Sequence, residues 1–206
     1  MDLIHVVSGY MRSGTSMMMK ALVAGSDLVP EVDKRRDEHF EQYASDGYHP
    51  NPNGFYEFTE KESHLPHFPR QFDGKLIKCL LQRAVAMSAG NYRVLVMLRD
   101  PEEIRQSLQA FFGDKCKLMP ATHDFTHPEY HAFTKEAIGI LNQRRDMNVT
   151  VLNYRDVIEN PIDAFWKLKI RGGWQIDPHK CAATIDPSQY RFRKELLTEG
   201  IGMAVA

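Results

Sequence analysis

The sequence predicts an α/β protein with a single central parallel β-sheet of about four to five strands, flanked by helices. Apolar runs of strand length alternate along the chain with stretches of helical periodicity, which is typical of parallel strands joined by right-handed crossovers. The 206 residues, 43% of them hydrophobic, also suffice for a full hydrophobic core. We therefore expect one domain that spans residues 1–206.

Four apolar runs have the length and composition of strands. The first ends at a glycine turn signal, and the third is enriched in β-branched residues. The second and third runs are mostly apolar on both alternating faces, apart from Lys78 and Arg93, which indicates burial on both faces of the sheet. The predicted strands are residues 3–7, 76–81, 92–98 and 149–152.

Helical periodicity and capping signals predict the intervening helices. The clearest start is at Asp100, which fits an N-cap, with Pro101 at the first helical position and Glu103 completing a capping box. Ser107 lies on the apolar face of that helix, so its hydroxyl group needs a polar partner. The predicted helices cover residues 16–24, 133–145, a segment from residue 101 and a segment from 160 to 172, with a short helix and a turn within 185–193.

Charge and hydropathy limit the expected partners. The chain has 26 Lys and Arg against 27 Asp and Glu, so no overall field attracts nucleic acid. No apolar run approaches the roughly 20 residues that cross a bilayer, and the N-terminus lacks a secretory pattern, so we expect a cytoplasmic protein without a membrane partner. Cys79, Cys116 and Cys181 lack metal-site spacing and are expected to be reduced thiols.

Residues 25–73 lose periodicity and are rich in Pro, Asn, Asp and His. Long irregular segments inside compact domains are often functional, and we expect this one to be a substrate-facing insertion. Within it, the charge-dense residues 33–41 fit a solvated helix face, although Lys34, Arg35 and Arg36 are alternative contacts for an acidic acceptor.

Residues 8–16, S-G-Y-M-R-S-G-T-S, directly follow the first predicted strand. Gly9, four residues and then Gly14 have the spacing of a P-loop, in which backbone N–H groups and a helix N-terminus bind phosphate, so the expected fold is P-loop NTPase-like. The P-loop lysine is missing because position 15 is Thr15, and the nearest cation is Arg12. We predict a phosphorylated ligand without the usual ATP-hydrolysing residues.

A second candidate anion site follows the third predicted strand. Arg99 leaves that strand, and Ser107 follows two helical turns later. Together they could bind a second phosphate through charge-assisted hydrogen bonds. The alternative is purely structural: Arg99 would pair with Asp100 or Glu103, and Ser107 would bond back within its helix.

The two motifs together resemble the sulfotransferase family, enzymes that use 3′-phosphoadenosine 5′-phosphosulfate (PAPS) on a modified P-loop fold. The resemblance covers most of the chain. It implies that Arg99 and Ser107 hold the 3′-phosphate, and that the 5′-phosphosulfate loop comprises, with Gly9, the residues Arg12, Ser13, Gly14, Thr15 and Ser16.

Three further segments are similar to the family. Residues 53–57, N-G-F-Y-E, are similar to its N-x-G-aromatic-x-E segment, although no residue separates Asn53 from Gly54. Residues 151–161 resemble a downstream block that ends in Asn-Pro. Arg191 and Arg193 resemble a C-terminal arginine block that approaches the 3′-phosphate.

The resemblance also implies catalytic roles. Arg12 would stabilise charge that develops on the leaving phosphate, and Lys78 would assist at the sulfuryl group, unless it forms a structural ion pair at the strand end. Many members use a His as base where this chain has Leu80. Glu57, flanked by aromatic residues, is our candidate base; the alternative is that it orders its loop.

No metal is expected. Sulfuryl transfer moves less charge than phosphoryl transfer, so an arginine and backbone donors can suffice. His123, His127 and His131 have helical ligand spacing, but Pro128 interrupts the helix that this spacing would require.

The leading prediction is a PAPS-dependent sulfotransferase that acts on a hydroxyl or amine of a small-molecule or carbohydrate acceptor. The alternatives are a small-molecule or nucleotide kinase on the same fold and a non-catalytic nucleotide-binding module. The acceptor's identity and the oligomeric state are not encoded in a readable pattern.

Overall fold

The computed structural model describes residues 3–41, 54–58, 71–113 and 127–192. Within them, five strands form one parallel sheet in the order β2-β3-β1-β4-β5, which confirms the predicted fold class. The strands are β1 (Ile4–Gly9), β2 (Val29–Pro30), β3 (Lys75–Leu80), β4 (Tyr92–Leu98) and β5 (Met147–Asn153).

The two-residue strand β2 lies in a stretch that the sequence predicts to be irregular. Val29 is paired with Lys75 and Pro30 with Leu76 at the edge of the sheet. So short a strand has no periodicity to detect, and an edge position is where a sheet tolerates proline.

Most predicted helices are confirmed, with shifted ends. Asp100 caps its helix by accepting a hydrogen bond from the Glu102 N–H group at 2.9 Å. The helix predicted at 133–145 begins at His127, so the prediction that Pro128 interrupts a helix there is wrong: proline is tolerated in the first turn, where its missing N–H group has no partner within the helix. A short helix directly after β5 was not predicted. The helices are α1 (Thr15–Ala24), α2 (Lys34–Glu41), α3 (Leu81–Val85), α4 (Pro101–Phe112), α5 (His127–Gln143), α6 (Tyr154–Glu159), α7 (Pro161–Gly172) and α8 (Pro178–Ala182), followed by a 3₁₀ turn (Pro187–Gln189).

The sheet is buried on both faces, as the apolar strand runs predict. Alternate side chains of a strand point to opposite faces, and Val7 accordingly packs with α1 and α7 while Val6 packs with α3 and α5. Both valines are fully buried. The sheet therefore lies between two helical layers.

The parallel register places the carboxyl-terminal ends of the central strands side by side, at one end of the sheet. Gly9 at the end of β1 is paired with Leu80 of β3 and Met97 of β4. The segments that follow these three strands thus begin side by side, at the edge where open α/β sheets bind ligands.

Candidate functional site

A cavity of about 290 Å³ lies at this edge of the sheet. Its wall includes residues from the β1–α1 loop, segment 54–58, the ends of β3 and β4, helix α4 and the C-terminal segment. The predicted site residues that line it are Gly9, Arg12, Gly14, Thr15, Ser16, Glu57, Lys78, Arg99, Ser107 and Arg191.

The β1–α1 loop turns through two residues with left-handed backbone conformations, Arg12 (φ 66°) and Gly14 (φ 94°). A Cβ atom at Gly14 would lie 2.4 Å from the Tyr154 ring, so both conformation and space require glycine there. The first N–H groups of a helix lack acceptors within it, and Thr15, Ser16 and Met17 present this end of α1 to the cavity.

Ser13 is the predicted loop residue that the structure places away from the cavity lining. It is fully buried, and its Oγ atom lies 2.4 Å from where a Cβ of Gly9 would be. Its backbone N–H donates to the Tyr10 carbonyl at 3.1 Å. Ser13 therefore fills the inside of the loop.

The two predicted anion motifs touch each other. Arg12 Nε donates to Ser107 Oγ at 3.1 Å, and Arg99 Nη1 donates to the Arg12 carbonyl oxygen at 3.0 Å. Ser107 is buried on the apolar face of α4, as predicted, and Arg12 is the polar partner that it needed. One contact of the structural alternative is also present, because Arg99 Nε donates to Glu103 Oε2 at 3.0 Å.

Arg99 and Glu103 form a nearly buried ion pair, with side chains 6% and 4% exposed. The Arg99 guanidinium lies over the Tyr154 ring, 4.2 Å from its centroid. The second carboxylate oxygen of Glu103 accepts from the Tyr190 hydroxyl at 2.6 Å. The predicted role of Glu103 in a capping box is therefore wrong, because its carboxylate binds Arg99 and Tyr190 instead of the N–H group of Asp100. Burial, reinforced by the hydrogen bond and charge of Glu103, raises the pKa of Tyr190.

The sequence pattern gave no sign of Tyr190 because its partner is 87 residues away. Tyr154 stood within the family-like block of residues 151–161, but its packing against Arg99 was not predicted.

Also in the cavity lining, Lys78 joins β3 to segment 54–58. Its Nζ atom donates to Glu57 Oε1 at 2.5 Å, to Ser16 Oγ at 3.3 Å and to the Phe55 carbonyl oxygen. The ion pair that we considered for Lys78 is thus present, and its partner is the candidate base. Because Ser16 is in the first turn of α1, Lys78 also brings a cation to the helix end where a P-loop lysine would act.

Segment 54–58 is fastened to α2. The Asp37 carboxylate accepts from the backbone N–H groups of Tyr56 at 3.0 Å and Glu57 at 2.6 Å, and Arg36 Nη1 donates to the Phe58 carbonyl at 3.1 Å. The prediction of a solvated helix face is therefore incomplete, because one side of α2 holds the segment that carries Glu57. Tyr56 has φ 55°, a conformation that these bonds stabilise.

The C-terminal segment contributes five residues to the lining: Thr184, Asp186, Gln189, Arg191 and Phe192. Arg191 Nη2 donates to Gln189 Oε1 at 2.6 Å. Leu80, at the position of the family's His, is 37% exposed and lines the cavity.

Several predictions fall outside the described residues: Asn53, Cys116, His123 and Arg193. Cys79 and Cys181 are buried free thiols. Across the described ranges, no group of three or more His, Cys, Asp or Glu side chains could hold a metal ion. In that same part of the chain, every helix is too short or too polar to cross a membrane.

The sequence matches no protein-family model and no curated protein. Among solved structures it is similar to a sulfotransferase domain from the curacin biosynthetic pathway, with 13% identity, 100% of this chain and 99% of the other covered, and a TM-score of 0.48. It is also similar to sulfotransferase STF1 from Mycobacterium tuberculosis H37Rv (12% identity, 97% and 76% covered, TM-score 0.46). A sugar kinase from Janibacter sp. HTCC2649 shows 11% identity, 92% and 98% coverage and a TM-score of 0.39.

Proposed function

We propose that this protein transfers a sulfuryl group from PAPS to a hydroxyl or amine acceptor. The observation that supports this most is the direct contact between the two anion motifs, in which Arg12 links to both Ser107 and Arg99 at one cavity. Two cationic groups beside a phosphate-binding loop suit a ligand with phosphate at two positions.

Lys78 supports this proposal by compensating for the missing P-loop lysine. The cation arrives from β3 and reaches Ser16 in the first turn of α1. We assign the binding of the phosphosulfate end to the loop and this helix terminus, and the stabilisation of charge on the leaving phosphate to Arg12 and Lys78. With Arg12 and Lys78 in these roles, sulfuryl transfer does not need a lysine at position 15.

Glu57 is the proposed base. As a new bond forms between the acceptor atom and sulfur, the bond from sulfur to the phosphate oxygen breaks, and its electron pair stays on the phosphate. The acceptor's proton passes to the Glu57 carboxylate, which its 2.5 Å contact with Lys78 holds at the cavity. The products are a sulfated acceptor and 3′-phosphoadenosine 5′-phosphate.

Ligand-induced stabilisation distinguishes this proposal from a kinase. At a concentration one hundredfold above its dissociation constant, a ligand stabilises by about 2.7 kcal/mol, which shifts the melting temperature of a chain of this size by roughly 5–10 °C. We expect such a shift with 3′-phosphoadenosine 5′-phosphate. A comparable shift with ATP and Mg²⁺ alone would overturn the proposal.

Turnover separates an enzyme from a binding module. PAPS incubated with the protein and a panel of hydroxyl and amine acceptors should be converted to the bisphosphate, and Arg12→Ala should lose turnover while retaining part of the affinity. Binding of the bisphosphate with no turnover across the panel would favour a non-catalytic nucleotide-binding protein.

A further inference from the structure

Two arginine–carboxylate pairs away from the cavity are bidentate. Arg105 Nε and Nη2 donate to the two oxygens of Glu102 at 2.9 and 2.5 Å. Arg144 Nε and Nη2 likewise donate to both oxygens of Asp146, at 3.0 and 2.6 Å. The Nε–Nη2 edge of a guanidinium matches a carboxylate. Both pairs keep this arrangement although a second N–H group donates to the oxygen that Nη2 contacts, from Gln106 to Glu102 at 3.0 Å and from the Gly90 backbone to Asp146 at 2.8 Å.

The pair at the cavity is different. Arg99 Nε donates to Glu103 Oε2 at 3.0 Å, but Glu103 Oε1 accepts from the Tyr190 hydroxyl at 2.6 Å instead. Arg99 Nη1 is used by the Arg12 carbonyl oxygen. Among the described residues, Nη2 of Arg99 has no hydrogen-bond acceptor, and Arg99 lines the cavity.

We propose that Tyr190 is a positioning residue for ligand binding: by occupying Oε1 of Glu103, it keeps Nη2 of Arg99 available to a phosphate oxygen. The proposal rests on the function proposed above for its ligand, a nucleotide with a 3′-phosphate. Tyr190, in the C-terminal segment, thus affects Arg99 indirectly, through its hydrogen bond to Glu103.

The Tyr190 hydroxyl competes more strongly than the N–H groups of Gln106 and Gly90, because its contact with the carboxylate is shorter, at 2.6 Å, and buried. Glu103 and Tyr190 are each 3% exposed, so water cannot readily replace the hydroxyl group at Oε1. A buried carboxylate oxygen that loses its donor is costly, and the guanidinium that Glu103 already contacts carries a further donor, Nη2. Without the hydroxyl group, we expect Glu103 to take both Nε and Nη2 of Arg99, as Glu102 does with Arg105.

Tyr190→Phe tests this with little change in packing, because the ring's edge contact with Tyr154 at 5.3 Å can remain. Calorimetry should compare 3′-phosphoadenosine 5′-phosphate with 5′-AMP, which lacks only the 3′-phosphate. We expect the variant to bind the bisphosphate roughly 3- to 10-fold more weakly and 5′-AMP with affinity unchanged within about twofold.

Tyr92→Phe is the matched control. Tyr92 is 1% exposed, and its hydroxyl donates to the Ser88 carbonyl at 3.1 Å at the other end of the sheet. This variant also loses a buried hydroxyl group, so we expect it to lose stability without changing the ratio of the two affinities.

Glu103→Gln identifies the route of the effect. Because Tyr190 acts through the charge of Glu103, Tyr190→Phe should change the affinity ratio less than about twofold in the Glu103→Gln background. Glu102→Gln, which alters the neighbouring carboxylate of the same helix, should leave the full effect of Tyr190→Phe in place.

The outcomes separate the two proposals. Equal loss of affinity for both nucleotides, or a full effect of Tyr190→Phe in the Glu103→Gln background, would show that Tyr190 is merely structural and overturn the inference. A wild-type protein that binds 5′-AMP and the bisphosphate equally would instead contradict the proposed function, and the inference would fall with it.

Discussion

The cavity has two walls that are built in different ways. The loop wall comprises residues 9–16 with Arg99 and Ser107, and the segment wall comprises residues 54–58 with Lys78. In the loop wall, the backbone conformation is set locally by Gly14 and by the start of α1. In the segment wall, the backbone is held from outside by the Asp37 carboxylate and by Lys78.

This difference suggests a division of labour. The loop wall joins a strand to a helix, both packed in the core, and such rigid supports suit the binding of a constant group such as a phosphate. The segment wall carries the proposed base on a stretch without regular structure. We expect changes in the loop wall to alter nucleotide affinity, and changes in the segment wall to alter turnover.

The largest effect is expected from Glu57→Gln. The amide keeps the shape of the side chain but cannot accept the acceptor's proton, so turnover should fall roughly 10²- to 10⁴-fold. Affinity for 3′-phosphoadenosine 5′-phosphate, measured by calorimetry, should stay within about threefold. A near-normal turnover rate in this variant would reject Glu57 as the base. A loss of bisphosphate affinity as large as the loss of turnover would show that the two walls do not have separate roles.

In the loop wall, Gly14→Ala should be strongly destabilising. The added methyl group meets the Tyr154 ring at 2.4 Å while φ stays at 94°. Left-handed strain and overpacking together predict a loss of roughly 2–5 kcal/mol in the free energy of unfolding, measured with urea. Gly74→Ala is the matched control, because Gly74 has φ 75° with no atom within 4 Å among the described residues, so only the strain of roughly 1–2 kcal/mol should appear.

The same difference explains what could be predicted from the sequence. Gly14 and the start of α4 were predictable because their conformational signals are local. Gly9, Arg99 and Ser107 were predicted from their spacing in the sequence, although what excludes a side chain at Gly9 is the close approach of Ser13 and of the Met97 carbonyl oxygen. For the segment wall, the sequence indicated candidate residues such as Glu57 and Lys78 but not the contacts that hold the segment in place. Nothing in the pattern linked Asp37 to the backbone of Glu57, because such a bond depends on how distant elements pack.

The Arg12–Ser107 bond and the Tyr190–Glu103 bond were missed for the same reason, since they span 95 and 87 residues. The edge strand β2 escaped prediction because its pairing depends on β3, which lies about 45 residues further along the chain. Interactions set by tertiary packing leave little trace in periodicity or capping signals.

Both walls stand on the same sheet, so loss of the sheet should affect them together. His5 on β1 is 7% exposed, and its ring packs against the ring of Trp174. Burial is the larger cause and the charge of Arg93 the smaller one that together lower the pKa of His5 to about 4. Between pH 6.5 and 4 only the unfolded chain takes up this proton, so stability falls as pH falls, by roughly 2 kcal/mol at pH 5 and roughly 3 kcal/mol below pH 4.

Urea unfolding at pH 7.5 and pH 5 measures this loss, and His5→Phe should remove that part of the pH dependence. An unchanged pH dependence in His5→Phe would assign the acid sensitivity to other groups.

The smallest and most selective effect is expected from Asp37→Asn. One carboxylate oxygen becomes an amide donor that faces the N–H group of Tyr56 or Glu57, which should loosen segment 54–58 at a cost of roughly 1–3 kcal/mol in local stability. Turnover should fall about tenfold, because Glu57 is then less often held at the cavity. The exposed neighbour Glu38 provides the control Glu38→Gln, which changes the same charge on α2 and should leave turnover unchanged. Since Asp37 does not contact the loop wall, affinity for the bisphosphate should stay constant, and a parallel loss of affinity would show that the two walls act as one unit.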